Sequence, residues 1–254
     1  MLTNRSAIVL LGVRYSGANH SGASVEPCPV HSWKARAGGA ALGVLLALGS
    51  AAPAGAQDAA AIIGRAGRIY RNLGSLQADF VQTIEDRSQG DTLVSRGTVT
   101  QSGNNFLAMR FTDPAGEAVV VDGKYIWTYT PSTSPDVVFR SPLPNDPVYG
   151  VNLLAILLDR PENRYRATYV ERDNTGGRSQ DVIDLVPTSK SVPFRKARLW
   201  LGTDDALPRR IELDEGGGAR RTLILTRLRP NSPVSRATFQ FEVPKGVKVV
   251  AAPA

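Results

Sequence analysis

The stretch Val119-Val120-Val121-Asp122-Gly123-Lys124-Tyr125-Ile126-Trp127 reads as two short β-branched and aromatic strands joined at an Asp-Gly turn. Asp-Gly between apolar runs is a hairpin signal, and it predicts a type I′ turn. The same two-residue period extends outward in both directions. Upstream it predicts strands over Leu76–Glu85, Leu93–Gln101, Asn105–Phe111 and Glu117–Val121. Gln89-Gly90-Asp91, Ser102-Gly103-Asn104 and Asp113-Pro114-Ala115-Gly116 separate them as turns. Downstream it predicts strands over Lys124–Thr130, Val137–Arg140, Tyr165–Glu171, Asp181–Val186, Phe194–Leu201, Pro208–Leu213, Thr222–Leu228 and a closing strand over Thr238–Val243. Eleven or twelve short strands at this spacing make a large antiparallel sheet or open barrel.

Two segments break the period. Over Asp58–Leu73, Ile62, Ala66, Ile69, Tyr70 and Leu73 recur at helical spacing while Arg65, Arg68 and Arg71 face elsewhere. Asp58 suits the N-cap and Gly74 the stop. After the Pro142–Pro147 stretch, the run Val151–Leu158 predicts a second, short helix ended by Asp159-Arg160-Pro161.

Ahead of the first helix, Lys34 and Arg36, the apolar run 40–48 and Ala54-Gly55-Ala56 form a signal-peptide pattern with cleavage before Gln57. The run is too short to span a bilayer, and no lipidation cysteine follows it. Residues 1–33 make an over-long leader, read as a start codon assigned too early. Residues 57–254 are then one domain, exported and soluble. Arg5, Arg14, Lys34, Arg36 and Glu26 fall in the leader. Of 30 basic and 23 acidic residues, 26 and 22 remain, so the net charge drops from +7 to +4. Cys28, His20 and His31 also fall in the leader, so the mature chain has neither Cys nor His. That removes the usual nucleophiles, general base and metal ligands. No catalytic residue, metal ligand or cofactor is predicted.

Asp204-Asp205 and Asp214-Glu215 sit at turns and form no inward pair, and the glycine clusters lack a phosphate-loop context. Arginines recur along the C-terminal strands, as in Arg195, Arg198, Arg209, Arg210, Arg220 and Arg221. At +4 these read as a solvated face, and no nucleic-acid partner is expected. The apolar stripes carry more. Leu107, Met109 and Phe111 alternate on one face, as do Val119 and Val121, followed by Ile126, Trp127 and Tyr129. They fit an ordinary core or a concave cavity for acyl chains under two helices; periodicity does not separate these.

Leu76-Gln77-Ala78-Asp79-Phe80-Val81-Gln82 after a helix resembles the opening motif of the LolA family of outer-membrane lipoprotein carriers. The resemblance continues in order through Arg96-Gly97-Thr98-Val99, Phe111-Thr112-Asp113-Pro114, Val121 to Tyr129, and Ala237 to Val249. It implies a mainly β fold: an unclosed antiparallel barrel of about eleven strands with α-helices as a lid over its concave face. It implies a non-enzymatic, monomeric periplasmic chaperone. Its partners would be lipid-modified proteins, an inner-membrane ABC-type release complex and, where one exists, an outer-membrane acceptor. On that fold the acyl-chain cavity would be lined by Tyr70 and Leu73, by Phe80, Leu107, Met109, Phe111, Val119, Val121 and Trp127, and by Leu153 and Leu157.

Two places depart from the family pattern. Ser102-Gly103-Asn104 stands where members commonly carry a basic residue and proline, and Ala108-Met109 where a polar–aromatic step is usual. The first implies a lid resting more open, or held by another arginine such as Arg110 or Arg160. Two rival readings are a lipid-binding or stress-sensing envelope module of the same fold, and a secreted hydrolase with carboxylates converging in the cavity.

Overall fold

A computed structural model describes residues 54–145, 151–189 and 192–251. Residues 1–53 of the expected leader, which was read as 1–56, lie outside them, as do residues 146 and 147 of the proline-rich stretch. Among the described residues twelve strands form one sheet that does not close on itself. In chain order they are β1 (Leu76–Asp86), β2 (Asp91–Ser102), β3 (Phe106–Asp113), β4 (Ala115–Asp122), β5 (Tyr125–Tyr129) and β6 (Val137–Pro142). Then come β7 (Tyr165–Asp173), β8 (Gln180–Pro187), β9 (Lys196–Gly202), β10 (Pro208–Gly216), β11 (Ala219–Pro230) and β12 (Lys248–Ala251). The spatial order is β12-β6-β5-β4-β3-β2-β1-β11-β10-β9-β8-β7. Every pair is antiparallel except β12 with β6.

Register sorts the side chains into rows. Leu76 of β1 faces Gln101 of β2, which faces Leu107 of β3, then Val121 of β4 and Ile126 of β5. The next inward row is Ala78, Val99, Met109, Val119 and Thr128. These rows face α1 (Ala54–Arg71) and α2 (Leu153–Leu158). From α1, Ile63, Ala66 and Tyr70 are buried while Arg65, Arg68 and Arg71 are exposed. Gly67 lets α1 approach closely: a Cβ there would lie 2.8 Å from the ring of Pro161. Asn152 caps α2, its side-chain oxygen accepting from the Ala155 N–H at 3.2 Å.

Three expectations change. Gly123 has φ 94° while Asp122 and Lys124 are not left-handed. The hairpin tip is therefore Gly123-Lys124 with glycine first, the sign pattern of type II′, and not an Asp-Gly type I′ turn. Asp122 instead accepts hydrogen bonds from the N–H groups of Lys124 (2.8 Å) and Tyr125 (2.7 Å) and from the Trp127 indole (2.7 Å).

Second, Thr238–Val243 is not a strand. A 3-10 turn over Arg236–Phe239 leads into an irregular segment lying on the convex face. Phe239 is buried with Ala108, Ala118 and Val120, and Phe241 stacks on Trp127 at 5.7 Å. Its aromatic alternation serves packing on the face of the sheet and not backbone pairing. The closing strand is β12, which begins only at Lys248.

Third, Arg110 points to this same outer side, donating to the carbonyls of Thr238 and Gln240. It clamps the C-terminal segment and does not reach the helices.

Candidate functional site

The inward rows and the residues Val151, Asn152, Leu153 and Leu154 at the start of α2 line a mainly apolar pocket with about 70 Å³ of free volume. Of the residues expected there, Phe80, Leu107, Met109, Phe111, Val119 and Leu153 line it. Phe80 meets Phe111 edge-on at 5.1 Å. Val121 lines an adjoining recess with Leu143, Val151 and Asn152. Tyr70 and Leu157 are buried in the same core, and Leu73 packs against it part-exposed.

Trp127 is elsewhere. Val121 pairs with Ile126, so strand alternation turns Ile126 and Thr128 inward and Trp127 outward. It packs on the convex side against Phe241, with the Arg140 guanidinium 5.4 Å from its ring.

Polar residues in the lining were not anticipated: Gln82, Gln101, Asn152 and Arg221. Alternation from Phe80 and Val99 would have placed Gln82 and Gln101 inward, but attention to apolar stripes passes over amides. At one end, buried Arg221 pairs with Glu215 at 2.8 Å and donates to the Gln82 side-chain oxygen at 3.3 Å. Gln82 in turn donates to the Ser95 hydroxyl at 3.5 Å.

The other end is less satisfied. Gln101 is 3% exposed, Asn152 6% and Tyr70 3%. Among the described residues, Gln101 Oε1, Asn152 Nδ2 and the Tyr70 hydroxyl have no hydrogen-bond partner. Burial pushes the Tyr70 phenol well above its ordinary pKa; the adjacent Gln101 and Asn152 side chains pull it back. Leaving a buried polar group unpaired costs about 1–3 kcal/mol, so three close together are a concentrated penalty.

Polar ties hold the helices over the cavity. Arg65 of α1 donates to the Thr203 and Asp204 carbonyls in the β9–β10 turn, at 2.8 and 2.6 Å. The Ser102 hydroxyl donates to the Gly74 carbonyl at 3.0 Å, and Asn104 Nδ2 donates to the Asp159 carboxylate at 3.3 Å. The Ser102-Gly103-Asn104 turn thus carries its own ties, and the arginine that links α1 to the sheet is Arg65 on the helix itself. Tyr165 of β7 anchors α2 through its hydroxyl to the Ile156 carbonyl at 2.7 Å. Among the described residues no helix is long and apolar enough to cross a membrane.

A model of the family described as outer membrane lipoprotein carrier protein LolA matches residues 71–242. The chain belongs to the LolA family. The match begins at the end of α1 and runs through the sheet to the convex C-terminal segment, so it takes in the strands that build the cavity. The outer-membrane lipoprotein carrier protein of Halorhodospira halophila is 26% identical over 190 residues, covering 71% of this chain and 81% of its own. That of Dechloromonas aromatica is 25% identical over 180 residues, covering 71% and 83%. An uncharacterized conserved protein from Thermus thermophilus shares the fold, with TM-score 0.51 over 77% of this chain and 100% of that one at 16% identity. These relatives are named for carrying outer-membrane lipoproteins, and the matched residues include the strands that line the pocket.

Proposed function

We propose that this chain is a periplasmic chaperone that takes acyl chains of lipid-modified proteins into the concave cavity and carries them from the inner to the outer membrane. The reading is carried by one observation: an apolar floor covered by helices that are tied down by a few polar contacts. In this reading the signal segment is removed after Ala56 and residues 57–254 work as a single soluble domain, as a monomer. Cargo arrives from an ABC-type release complex of the inner membrane and leaves to an acceptor at the outer membrane.

Energetics constrain the cycle. Burying one acyl chain of about fifteen methylenes at ~0.8 kcal/mol each yields roughly 12 kcal/mol, near-nanomolar binding. Leu153 and Leu154 of α2 occupy the lining now. A chain entering must displace them, and re-exposing such side chains offsets part of the gain at about 1.5–3 kcal/mol each. The lid leucines therefore act as a competing internal ligand that keeps release feasible.

The test is mass spectrometry of complexes isolated from periplasm with the tagged protein. Peptides bearing acylated N-terminal residues are expected; recovery of free lipid without lipid-modified protein would contradict the carrier role.

A further inference from the structure

The polar corner formed by Tyr70, Gln101 and Asn152 has a definite hydrogen-bonding character. Gln101 Oε1 can only accept; Asn152 Nδ2 can only donate; the Tyr70 hydroxyl can do either. The three come from α1, the inner end of β2 and the cap of α2, so both helices and the floor converge there. Gln101 and Asn152 face the cavity, Gln101 in the same inward row as Leu107, its partner across β2 and β3. An acyl chain offers these atoms nothing, because methylenes neither donate nor accept.

We infer that this corner recognises a secondary amide at the head of the bound acyl chain, the bond that joins such a chain to an amino group. The amide N–H donates to Gln101 Oε1, and the amide carbonyl accepts from Asn152 Nδ2 and the Tyr70 hydroxyl. An ester satisfies the two donors and leaves Gln101 Oε1 unpaired. The corner is therefore a specificity device: it favours amide-linked over ester-linked chains of equal length. This inference rests on the acyl-carrier reading.

The discriminating pair of probes is N-methylhexadecanamide and methyl hexadecanoate, which differ at one position, N–H against O. Each competes with a fluorescent fatty-acyl probe bound to the parent protein. The amide is expected to bind about tenfold tighter, the value of one buried hydrogen bond made or missed. In Gln101→Met, of nearly the same volume, that ratio falls to about one while ester affinity holds. In Tyr70→Phe both probes weaken together and the ratio persists, because the carbonyl is common to both; a purely structural role would not split the two variants this way. Equal binding of the two probes to the parent, or a ratio unchanged in Gln101→Met, overturns this inference and leaves the acyl-carrier reading standing. Binding of neither probe to the parent overturns that reading and this inference with it.

Discussion

Glu117 buries a carboxylate whose Oε1 accepts from the Ser132 hydroxyl and whose Oε2 has no partner among the described residues. Burial pushes its pKa up, and the Ser132 bond pulls it partly back. A folded-state pKa above the unfolded one, about 4.3, means the folded state binds the proton more tightly. Stability therefore falls as pH rises from there through the folded value. Glu117→Gln should raise the melting temperature at neutral pH and remove that part of the slope, as measured by thermal melts across the acid-to-neutral range. A second residue-scale contrast separates the two faces of the sheet. Met109 lines the cavity, so Met109→Arg should leave a folded domain whose affinity for a fluorescent acyl probe drops tenfold or more. Trp127 lies outside, so Trp127→Ala should cost about 3 kcal/mol of stability through lost packing on Phe241 while probe affinity stays near the parent's. Chemical denaturation and probe titration on both variants check this; the opposite pattern would place the ligand on the convex side.

At the scale of elements, the lid depends on short polar ties. Arg65 is exposed, so its two bonds to the Thr203 and Asp204 carbonyls are worth only about 1 kcal/mol together. Arg65→Ala should raise the open population roughly fivefold. The readouts are faster amide exchange in α1 and a faster acyl-probe off-rate; unchanged values would mean that α1 is held by its apolar face alone. How much of these elements was legible follows from what periodicity encodes. Most of β1 to β11 were readable because they alternate against a core, β4 and β9 because short apolar runs sit between turn signals, and both helices because their apolar spacing switches to 3.6. Thr238–Val243 alternates just as well, yet its aromatics bury against Ala108, Val120 and Trp127 across the sheet. Alternation reports burial on one side, not whether the backbone pairs. Trp127 was legible in principle, since a two-residue tip puts Val121 opposite Ile126 and so turns Trp127 outward. The polar corner was not: Asn152 and Tyr70 reach Gln101 only through the packing of two helices that no local pattern specifies. The Arg65 tie likewise joins positions far apart in the chain.

At the scale of the molecule, an open sheet whose edges among the described residues are β7 and β12 supports a chamber whose cover is separate from its walls. The sheet supplies the apolar floor, and the helices supply side chains that fill it when no cargo does. Acyl-chain exchange then needs movement of α1 and α2 without disruption of the ladder. Site-specific photo-crosslinking tests this most directly. A photoreactive residue is placed at position 109 on the floor, or at position 127 on the convex face, and the protein is loaded with a lipid-modified protein. The account predicts crosslinks to the acyl chains from position 109 and none from position 127. Crosslinks from position 127, or none from position 109 in a protein that holds its cargo, would contradict it.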